Sequence, residues 1–180
     1  MNSFDRQMVG VAAGPDVDEL AELAAATFQL ACPPSVPPDD LAAFIAAHLS
    51  PQRFADYLSD PSRTVLAARD DGRIVGYAIL VDGVGDDTDV AAAVTIRPAV
   101  ELSKIYVLAD SHGSGIAAEL MAAAVDRAAA TGAHCLWLGV NQKNERAQRF
   151  YTKNGFTIAG TKTFTLGAHT EHDFVMVRPL

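Results

Sequence analysis

A short glycine-containing segment, His112-Gly113-Ser114-Gly115, separates an apolar run from a helical pattern. Glycine tolerates positive φ angles and lets the backbone come close to a ligand. Amides in the first turn of a helix have no acceptor inside the helix, and the helix dipole adds partial positive charge there. The segment therefore predicts a phosphate or pyrophosphate site with the amides from Gly113 to Ala118 as donors. The alternative is an ordinary tight turn between a strand and a helix.

A second group of residues follows in the stretch WLGVNQKNERAQRFYTKNGF, residues 137 to 156. Asn144 and Tyr151 are seven residues apart, which is two helical turns, so a helix places them on one face. Both side chains are suited to ligand contact. The structural alternatives are that Asn144 caps the helix, that Tyr151 is a core aromatic and that Gly155 ends the helix.

The elements that must position these residues follow from the spacing of apolar residues. Three helices are predicted before residue 61, with Asp39 or Asp40 as the cap of the second. Asp70-Asp71-Gly72 predicts a hairpin turn, and residues 82 to 98, with acidic Asp86, Asp87 and Asp89, are predicted to form a loop. The predicted order is β-α-α-α-β-β-β-α-β-α-β-β, beginning with a strand at residues 6 to 13. One mixed sheet covered by helices is the natural packing of this order.

Two kinds of phosphate site fit a glycine loop between a strand and a helix. Gly113, Gly115 and Ala118 match the dinucleotide pattern G-x-G-x-x-A. That pattern also needs a carboxylate at the end of the next strand, which here reads LGVNQ and has none. The chain that remains is also too short for a doubly wound sheet. A coenzyme A pyrophosphate site is the other possibility.

The segment from His112 to Ala117 resembles the Q/R-x-x-G-x-G/A loop of the GNAT superfamily of acyl-CoA-dependent N-acyltransferases. His112 departs from the usual glutamine or arginine. Asn144, Ala147 and Tyr151 match the N-x-x-A-x-x-x-Y pattern of the same superfamily, and a Gly-Phe pair follows. The phrases ELSKIYVL and FTLGAHTEHDFVMVRPL resemble bacterial spermidine/spermine N-acetyltransferases of the PaiA type. The resemblance implies one α/β (α+β) domain over residues 1 to 180, with a mixed, mostly antiparallel sheet of about seven strands and helices on both faces.

The resemblance also implies acetyl-CoA as cosubstrate and assigns the residues that bind it. The pantetheine arm is expected along the central strand, and the amide of Val107 or Leu108 is expected to face the acetyl carbonyl. The cofactor-binding residues implied are Ile105, Tyr106, Val107, His112, Gly113, Ser114, Gly115, Ile116, Ala117, Ala118, Asn144 and Tyr151.

Acetyl transfer to an amine needs a base for the amine and a proton donor for the departing thiolate. The resemblance makes Tyr151 the donor and Glu101 the base, directly or through water. Some relatives carry a glutamate where this chain has Gly139. The alternative for Glu101 is a surface carboxylate paired with Lys104. His172 and Asp173, at the start of the last strand, are candidates to line the acceptor pocket, although a satisfied turn histidine is the preferred interpretation of His172.

Composition narrows the class of function. The net charge of −8 argues against a general nucleic-acid binder. It suits a cationic acceptor amine, and acidity that serves only solubility is the alternative. Cys32 and Cys135 form no metal-binding pattern, so no metal is expected, and Cys135 is expected to be a buried small residue. The absence of a leader or spanning segment favours a cytoplasmic protein without a membrane partner. An acyl-CoA-binding regulator and a protein lysine or N-terminal acetyltransferase remain alternatives, and a homodimer is one possible assembly.

Overall fold

The computed structural model describes residues 8–180, so the first two residues of the strand predicted at 6 to 13 lie outside the described residues. Seven strands form one sheet in the order β1-β2-β3-β4-β5-β7-β6. The strands are β1 (Met8–Val11), β2 (Arg63–Asp70), β3 (Arg73–Asp82), β4 (Ala99–Val107), β5 (Cys135–Asn141), β6 (Thr157–Leu166) and β7 (His169–Pro179). The helices are α1 (Val17–Ala31), α2 (Pro38–His48), α3 (Pro51–Ser59), α4 (Thr88–Ala93), α5 (Ile116–Ala130) and α6 (Glu145–Lys153).

The sheet is mixed, as the sequence predicts. β4 and β5 are parallel, whereas β1 pairs with β2, β5 with β7, and β6 with β7 in antiparallel register. Contacts between residues divide the chain into two compact units. The first unit comprises residues up to Ile79 together with Lys104–Ala124, and the second comprises Leu80–Ser103 together with Val125–Leu180.

In the first unit, α1 and α3 supply the large apolar side chains of the core. Leu20 and Phe54 are fully buried, and the ring of Phe54 packs edge-on against Tyr77 of β3 at 5.8 Å. The predicted hairpin between β2 and β3 is present, with Asp71 and Gly72 both at positive φ (48° and 77°). Two consecutive positive φ angles are what a tight two-residue hairpin turn needs, and Asp-Gly adopts them at little cost.

The second unit is built on β5, β7 and β6, with α4 packed against them. Its core joins Val90 and Val94 from the α4 region to Trp137 of β5 and to Val175 and Val177 of β7. A β-carbon added to Gly160 of β6 would lie 2.7 Å from the β-carbon of Ala93. The absence of a side chain at Gly160 therefore allows α4 to approach the sheet.

Three details of the element predictions were wrong. Residues 82 to 98 are not all loop, because α4 forms there with Asp87 as its cap, accepting from the amides of Asp89 (2.9 Å) and Val90 (3.3 Å). Neither Asp39 nor Asp40 caps α2; Pro37 occupies the cap position and Pro38 begins the helix. The last strand begins at His169 rather than near His172.

Within residues 8–180, the structure contains no helix that is both long and apolar enough to cross a membrane.

Candidate active site

The glycine segment forms an exposed bend between β4 and α5. Gly113 and Gly115 both have positive φ, 81° and 88°. A β-carbon added to either glycine would meet no atom within 4 Å. Any other residue would thus be strained here by its backbone rather than by crowding, and the space beside both glycines is open.

The first helical hydrogen bond after this bend runs from the amide of Glu119 to the carbonyl of Gly115, at 3.0 Å. The amides of Ile116, Ala117 and Ala118 precede it in the first turn of α5 and have no acceptor within the helix. Ser114 differs, because its amide donates to the carbonyl of Ser111 at 3.4 Å. Of the donors predicted between residues 113 and 118, the Ser114 amide is therefore used by the turn itself.

His112 is tied back to the end of β4. Its Nε2 lies 3.0 Å from the carbonyl oxygen of Val107. The hydroxyl of Ser114 likewise donates to the Ser111 carbonyl. These contacts hold the bend in shape from within. The Q/R-x-x-G-x-G/A pattern did not predict this role for His112.

The second half of β4 is less buried than its first half. Val100 and Leu102 are 4% exposed, whereas all residues from Ser103 to Leu108, which include Ile105, Tyr106 and Val107, are only half-buried. The amide of Leu108 donates to the carbonyl of Val75 at 2.8 Å. Of the two amides considered for the acetyl carbonyl, that of Leu108 is therefore already bonded, which leaves Val107 as the candidate.

In the second unit, Asn144 caps α6. Its Oδ1 accepts from the amide of Ala147 at 3.1 Å, as the structural alternative for this residue requires. Gln148 fixes the preceding turn, since its Nε2 donates to the carbonyls of Asn141 (3.1 Å) and Gln142 (3.0 Å). Because the cap uses only the oxygen of the Asn144 side chain, a ligand role would fall to its Nδ2 group.

Tyr151 lies on α6 with its ring half-buried. The ring centroid is 5.6 Å from that of Phe150 and 5.9 Å from that of Phe156, which is 1% exposed. Gly155, at φ 88°, ends the helix between Tyr151 and Phe156. The aromatic contacts orient the Tyr151 ring while leaving part of it accessible.

Glu101 is half-buried on β4 and lies opposite Trp137 in the parallel pairing with β5. That pairing covers three residue pairs, Ala99 with Cys135 to Glu101 with Trp137, although both strands continue beyond it. Trp137 is 3% exposed and its indole Nε1 donates to the carbonyl of Gly83 at 2.9 Å. Glu101 therefore stands beside a fixed aromatic residue at the last paired position of the two strands.

Two buried carboxylates lie on one face of β7, because residues two apart in a strand share a face. Glu171 is 6% exposed and has three partners: His169 Nε2 at 2.7 Å, Asn141 Nδ2 at 3.2 Å and Lys143 Nζ at 3.6 Å. The hydrogen bond from His169 and then that from Asn141 lower the pKa of Glu171 to about 2. Glu171 is thus held as a carboxylate at neutral pH.

Asp173 is 8% exposed and is less well satisfied. Its nearest cation is Lys162 of β6, whose Nζ lies 3.9 Å from Oδ2, beyond hydrogen-bonding distance. Burial raises the pKa of Asp173, against the opposing effect of Lys162. His172 lies inside β7, is exposed, and pairs across the sheet with Thr163, so it is a strand residue rather than a turn residue.

Gly139 is exposed on β5, and the side chain of Lys162 passes beside it. A β-carbon at position 139 would lie 2.6 Å from Lys162 Cε and 3.4 Å from Asp173 Oδ2. A side chain at this position would require the flexible end of Lys162 to move. Gly139 therefore lies beside Lys162 and Asp173 without a side chain of its own.

Buried Cys135 matches its prediction, with Sγ 3.2 Å from the carbonyl of Ile96. Across residues 8–180, no three His, Cys, Asp or Glu side chains are grouped so that they could hold a metal ion.

The predicted site residues fall in both units: Ile105 to Ala118 in the first, and Glu101, Asn144 and Tyr151 in the second.

Comparison with known proteins shows which family this chain resembles in sequence. Residues 18–156 match the acetyltransferase (GNAT) family model. An uncharacterized N-acetyltransferase of Mycobacterium tuberculosis is 58% identical over 165 residues, covering 92% of this chain and 98% of the relative. A second uncharacterized N-acetyltransferase, from Lactobacillus delbrueckii, is 26% identical over 144 residues, covering 79% of this chain and 80% of the relative.

Among solved structures, the PaiA N-acetyltransferase of Thermoplasma acidophilum in complex with coenzyme A superposes with a TM-score of 0.76 at 18% identity, covering 97% of this chain and 99% of that one. The ribosomal-protein-S18-alanine N-acetyltransferase of Escherichia coli gives a TM-score of 0.65 at 19% identity, with coverages of 97% and 94%. At these identities the likeness concerns the fold. The chain belongs to the GNAT acetyltransferase family. It is an acetyl-CoA-dependent N-acetyltransferase.

Proposed function

We propose that the chain transfers the acetyl group of acetyl-CoA to a primary amine of a polyamine such as spermidine or spermine, by direct attack in a ternary complex. A polyamine carries several positive charges at neutral pH, and the chain has a net charge of −8. The resemblance to PaiA-type enzymes, in motifs and in fold, supports the same acceptor class. We propose a cytoplasmic location and a single functional domain as parts of this assignment.

The observation that best supports coenzyme binding is the open bend at Gly113 and Gly115. Both glycines leave space where any other side chain would stand, and the amides of Ile116, Ala117 and Ala118 begin α5 without acceptors in the helix. These features suit a pyrophosphate, and the coenzyme brings an activated acetyl thioester when it binds. The half-buried strand from Ile105 to Val107 is assigned to the pantetheine arm, and Asn144 Nδ2 to a further polar contact.

Two side chains of the protein are assigned to proton transfer, one as acceptor and one as donor. An acceptor amine in its ammonium form must first lose a proton, which we assign to Glu101 as base, directly or through water. The amine nitrogen then forms a bond to the acetyl carbon while the carbon–sulfur bond breaks, and the amide of Val107 polarises the carbonyl. Tyr151 gives its hydroxyl proton to the departing sulfur, and the proton that the acetylated nitrogen still carries then passes to the Tyr151 oxygen, which restores the phenol.

The test is release of free thiol from acetyl-CoA by the purified chain. The panel contains spermidine, spermine, putrescine, single amino acids and a lysine-containing peptide, each over a range of concentrations and pH. We expect thiol release with spermidine or spermine at rates well above those with amino acids or the peptide. Preference for the peptide would instead favour a protein acetyltransferase, and thiol release with no amine in the panel would favour an acyl-CoA-binding regulator.

For Glu101, the decisive observation is the pH dependence of turnover in the same assay. Replacement of Glu101 by glutamine removes the proposed base without changing the size of the side chain much. The acidic limb of the kcat/KM profile should then shift or disappear. An unaltered profile would show that another group, or water alone, accepts the amine proton.

A further inference from the structure

Glu171 lies in β7 beside the turn that joins β5 to α6. It is 6% exposed, and its carboxylate contacts His169 Nε2 at 2.7 Å, Asn141 Nδ2 at 3.2 Å and Lys143 Nζ at 3.6 Å. All four residues belong to the second unit. A carboxylate that is withdrawn from water depends on such partners, because an unsatisfied buried charge is costly. Glu171 is therefore a fixed acceptor and not a solvated surface charge.

The orientation of the Asn141 side-chain amide follows from Glu171. An ionised carboxylate only accepts hydrogen bonds, so it selects the NH2 end of that amide. The Oδ1 atom of Asn141 then faces the turn, where it accepts from the main-chain amide of Lys143 at 2.9 Å. Hydrogen bonds from His169 and then from Asn141 lower the pKa of Glu171 to about 2, so it remains an acceptor at neutral pH.

Asn141 also closes the turn through its main chain. Its carbonyl accepts from the amide of Asn144 at 2.9 Å and from Gln148 Nε2 at 3.1 Å. The amide of Gln142 donates to the carbonyl of His172 at 3.0 Å, which ties the turn to β7 next to Glu171. The shape of the turn therefore depends on Asn141, whose side chain is oriented from β7.

Asn144 stands at the end of this turn. Its Oδ1 atom caps α6 by accepting from the amide of Ala147 at 3.1 Å, and the cap does not use its Nδ2 group. Because the cap holds the side chain against α6, the direction of Nδ2 follows the main chain of the turn. Hydrogen bonds weaken steeply away from their preferred length and angle. A shift of the turn would therefore weaken a ligand contact made by Nδ2.

We propose that Glu171 is a positioning residue for coenzyme binding, which orients the Asn141 amide and so holds the β5–α6 turn in the shape that presents Asn144 Nδ2 to the coenzyme. The inference rests on the proposed function, because it takes Asn144 Nδ2 to be a contact of the coenzyme. In this role Glu171 acts only through Asn141 and the turn. His169 and Lys143 hold the carboxylate in place.

The experiment measures the affinity for coenzyme A by calorimetry, which needs no turnover. Glu171→Gln keeps the size of the side chain, but glutamine donates as well as accepts, so the Asn141 amide loses its imposed direction. Asn144→Ser keeps a good capping oxygen and removes Nδ2. We expect each variant to bind coenzyme A about three- to tenfold more weakly than wild type, the cost of about one hydrogen bond.

The double variant provides the readout that a merely structural role would not change. If Glu171 acts through Asn144, the double variant should bind coenzyme A about as weakly as Asn144→Ser alone. A general loosening of the fold would instead weaken binding by the same factor with either residue at position 144. Thermal unfolding checks that each variant is folded at the temperature of the titration. Asn141→Ala breaks the same link from the other side and should show the same dependence on Asn144.

Glu145→Gln is the matched control for charge. It also removes one negative charge near the turn, since the exposed Glu145 carboxylate begins α6 and lies 3.5 Å from Arg149. Coenzyme A is an anion, so loss of negative charge by itself would strengthen its binding in both variants. The proposal requires weaker binding in Glu171→Gln and unchanged or tighter binding in Glu145→Gln. Tighter binding in both would overturn it.

The outcomes separate this inference from the proposed function. Wild-type affinity in Glu171→Gln or in Asn144→Ser, or additive losses in the double variant, overturns the role of Glu171. Coupled losses of affinity without thiol release in the presence of spermidine or spermine support that role and overturn the proposed acetylation of polyamines. Polyamine turnover without coupling between the two positions leaves the function standing and removes the inference.

Discussion

The Nε2 atom of His112 lies 3.0 Å from the carbonyl oxygen of Val107, so the side chain of the bend is bonded to the end of the strand that precedes it. This contact closes the segment between β4 and α5 from within. It makes His112 a residue that shapes the bend, in a place where the family pattern has a glutamine or arginine.

His112→Ala should therefore loosen the bend and raise the KM for acetyl-CoA by about three- to tenfold, the cost of about one hydrogen bond, with little change in kcat. Steady-state kinetics with acetyl-CoA as the varied substrate measures both constants. His134→Ala is the control, since that exposed histidine makes main-chain bonds to Pro98 and Leu180 and no side-chain bond to any of residues 8–180. A KM for acetyl-CoA that is the same in both variants would remove His112 from the binding of the coenzyme.

Gly115→Ala and Gly132→Ala form a matched pair. Gly115 has φ 88° and Gly132 has φ 86°, and neither has an atom within 4 Å of an added β-carbon. Both substitutions should cost about 1–2 kcal/mol of stability through backbone strain. Only Gly115→Ala, at the proposed pyrophosphate site, should also weaken coenzyme A binding, by about tenfold. Thermal unfolding and calorimetry with coenzyme A measure the two effects, and equal affinities in the two variants would speak against a site at this bend.

Tyr151→Phe should lower kcat by about ten- to a hundredfold while the affinity for coenzyme A stays close to that of wild type, because only a proton donor is lost. The aromatic contacts with Phe150 and Phe156 do not depend on the hydroxyl and should keep the helix in place. Single-turnover rates together with coenzyme A titration separate the two effects. Turnover at the wild-type rate would exclude Tyr151 as the acid.

Tyr77→Phe should leave the free energy of unfolding unchanged or raise it by up to about 1 kcal/mol. The Tyr77 hydroxyl is fully buried and has no hydrogen-bond partner among the described residues, and burial raises the pKa of the phenol well above its usual value. Tyr57→Phe is the contrasting variant, because the Tyr57 hydroxyl donates to the carbonyl of His48 at 2.7 Å, and its loss should cost about 1 kcal/mol. Urea unfolding of both variants gives the comparison. A marked loss of stability in Tyr77→Phe would indicate a bound water or another partner at that hydroxyl.

Glu171 should make stability depend on acid pH. Hydrogen bonds from His169 and Asn141 hold its folded-state pKa near 2, below the ordinary value of 4.5. A lowered pKa stabilises the folded state above pH 4.5, and this contribution is lost as the pH falls from 4.5 towards 2. Glu171→Gln should thus be less stable than wild type at pH 7, and the difference should shrink across that window. Urea unfolding at several pH values provides the check; a difference independent of pH would mean that Glu171 does not titrate as described.

The order of elements could be predicted from the sequence because each strand and helix has its own local signal. Asp71-Gly72 marks its hairpin, and Gly155 marks the end of α6. Helix α4 has only six residues, too few for a clear helical periodicity, and its capping residue, Asp87, lies in an acidic stretch whose composition is typical of a loop. The helix packs closely against β6 beside Gly160, which is distant in sequence.

The local geometry around the candidate site could be predicted only in part, for the same reason. The glycine bend and Tyr151 lie in short motifs that can be recognised in the sequence. The contact of Lys162 with Gly139 depends on β7 lying between β5 and β6, a non-sequential order that no local pattern encodes. The bond from Leu108 to Val75 likewise follows from tertiary structure, and it occupies one of the two amides between which the motif left a choice.

Trp137 is the sole tryptophan of the chain, and it stands opposite Glu101 with its indole fixed to the carbonyl of Gly83. The protein therefore has an intrinsic fluorophore, shielded from solvent quenchers, at the point where β4 and β5 cease to pair. Its emission provides a label-free optical signal for events at this carboxylate, so that stopped-flow fluorescence can follow ligand arrival separately from chemistry.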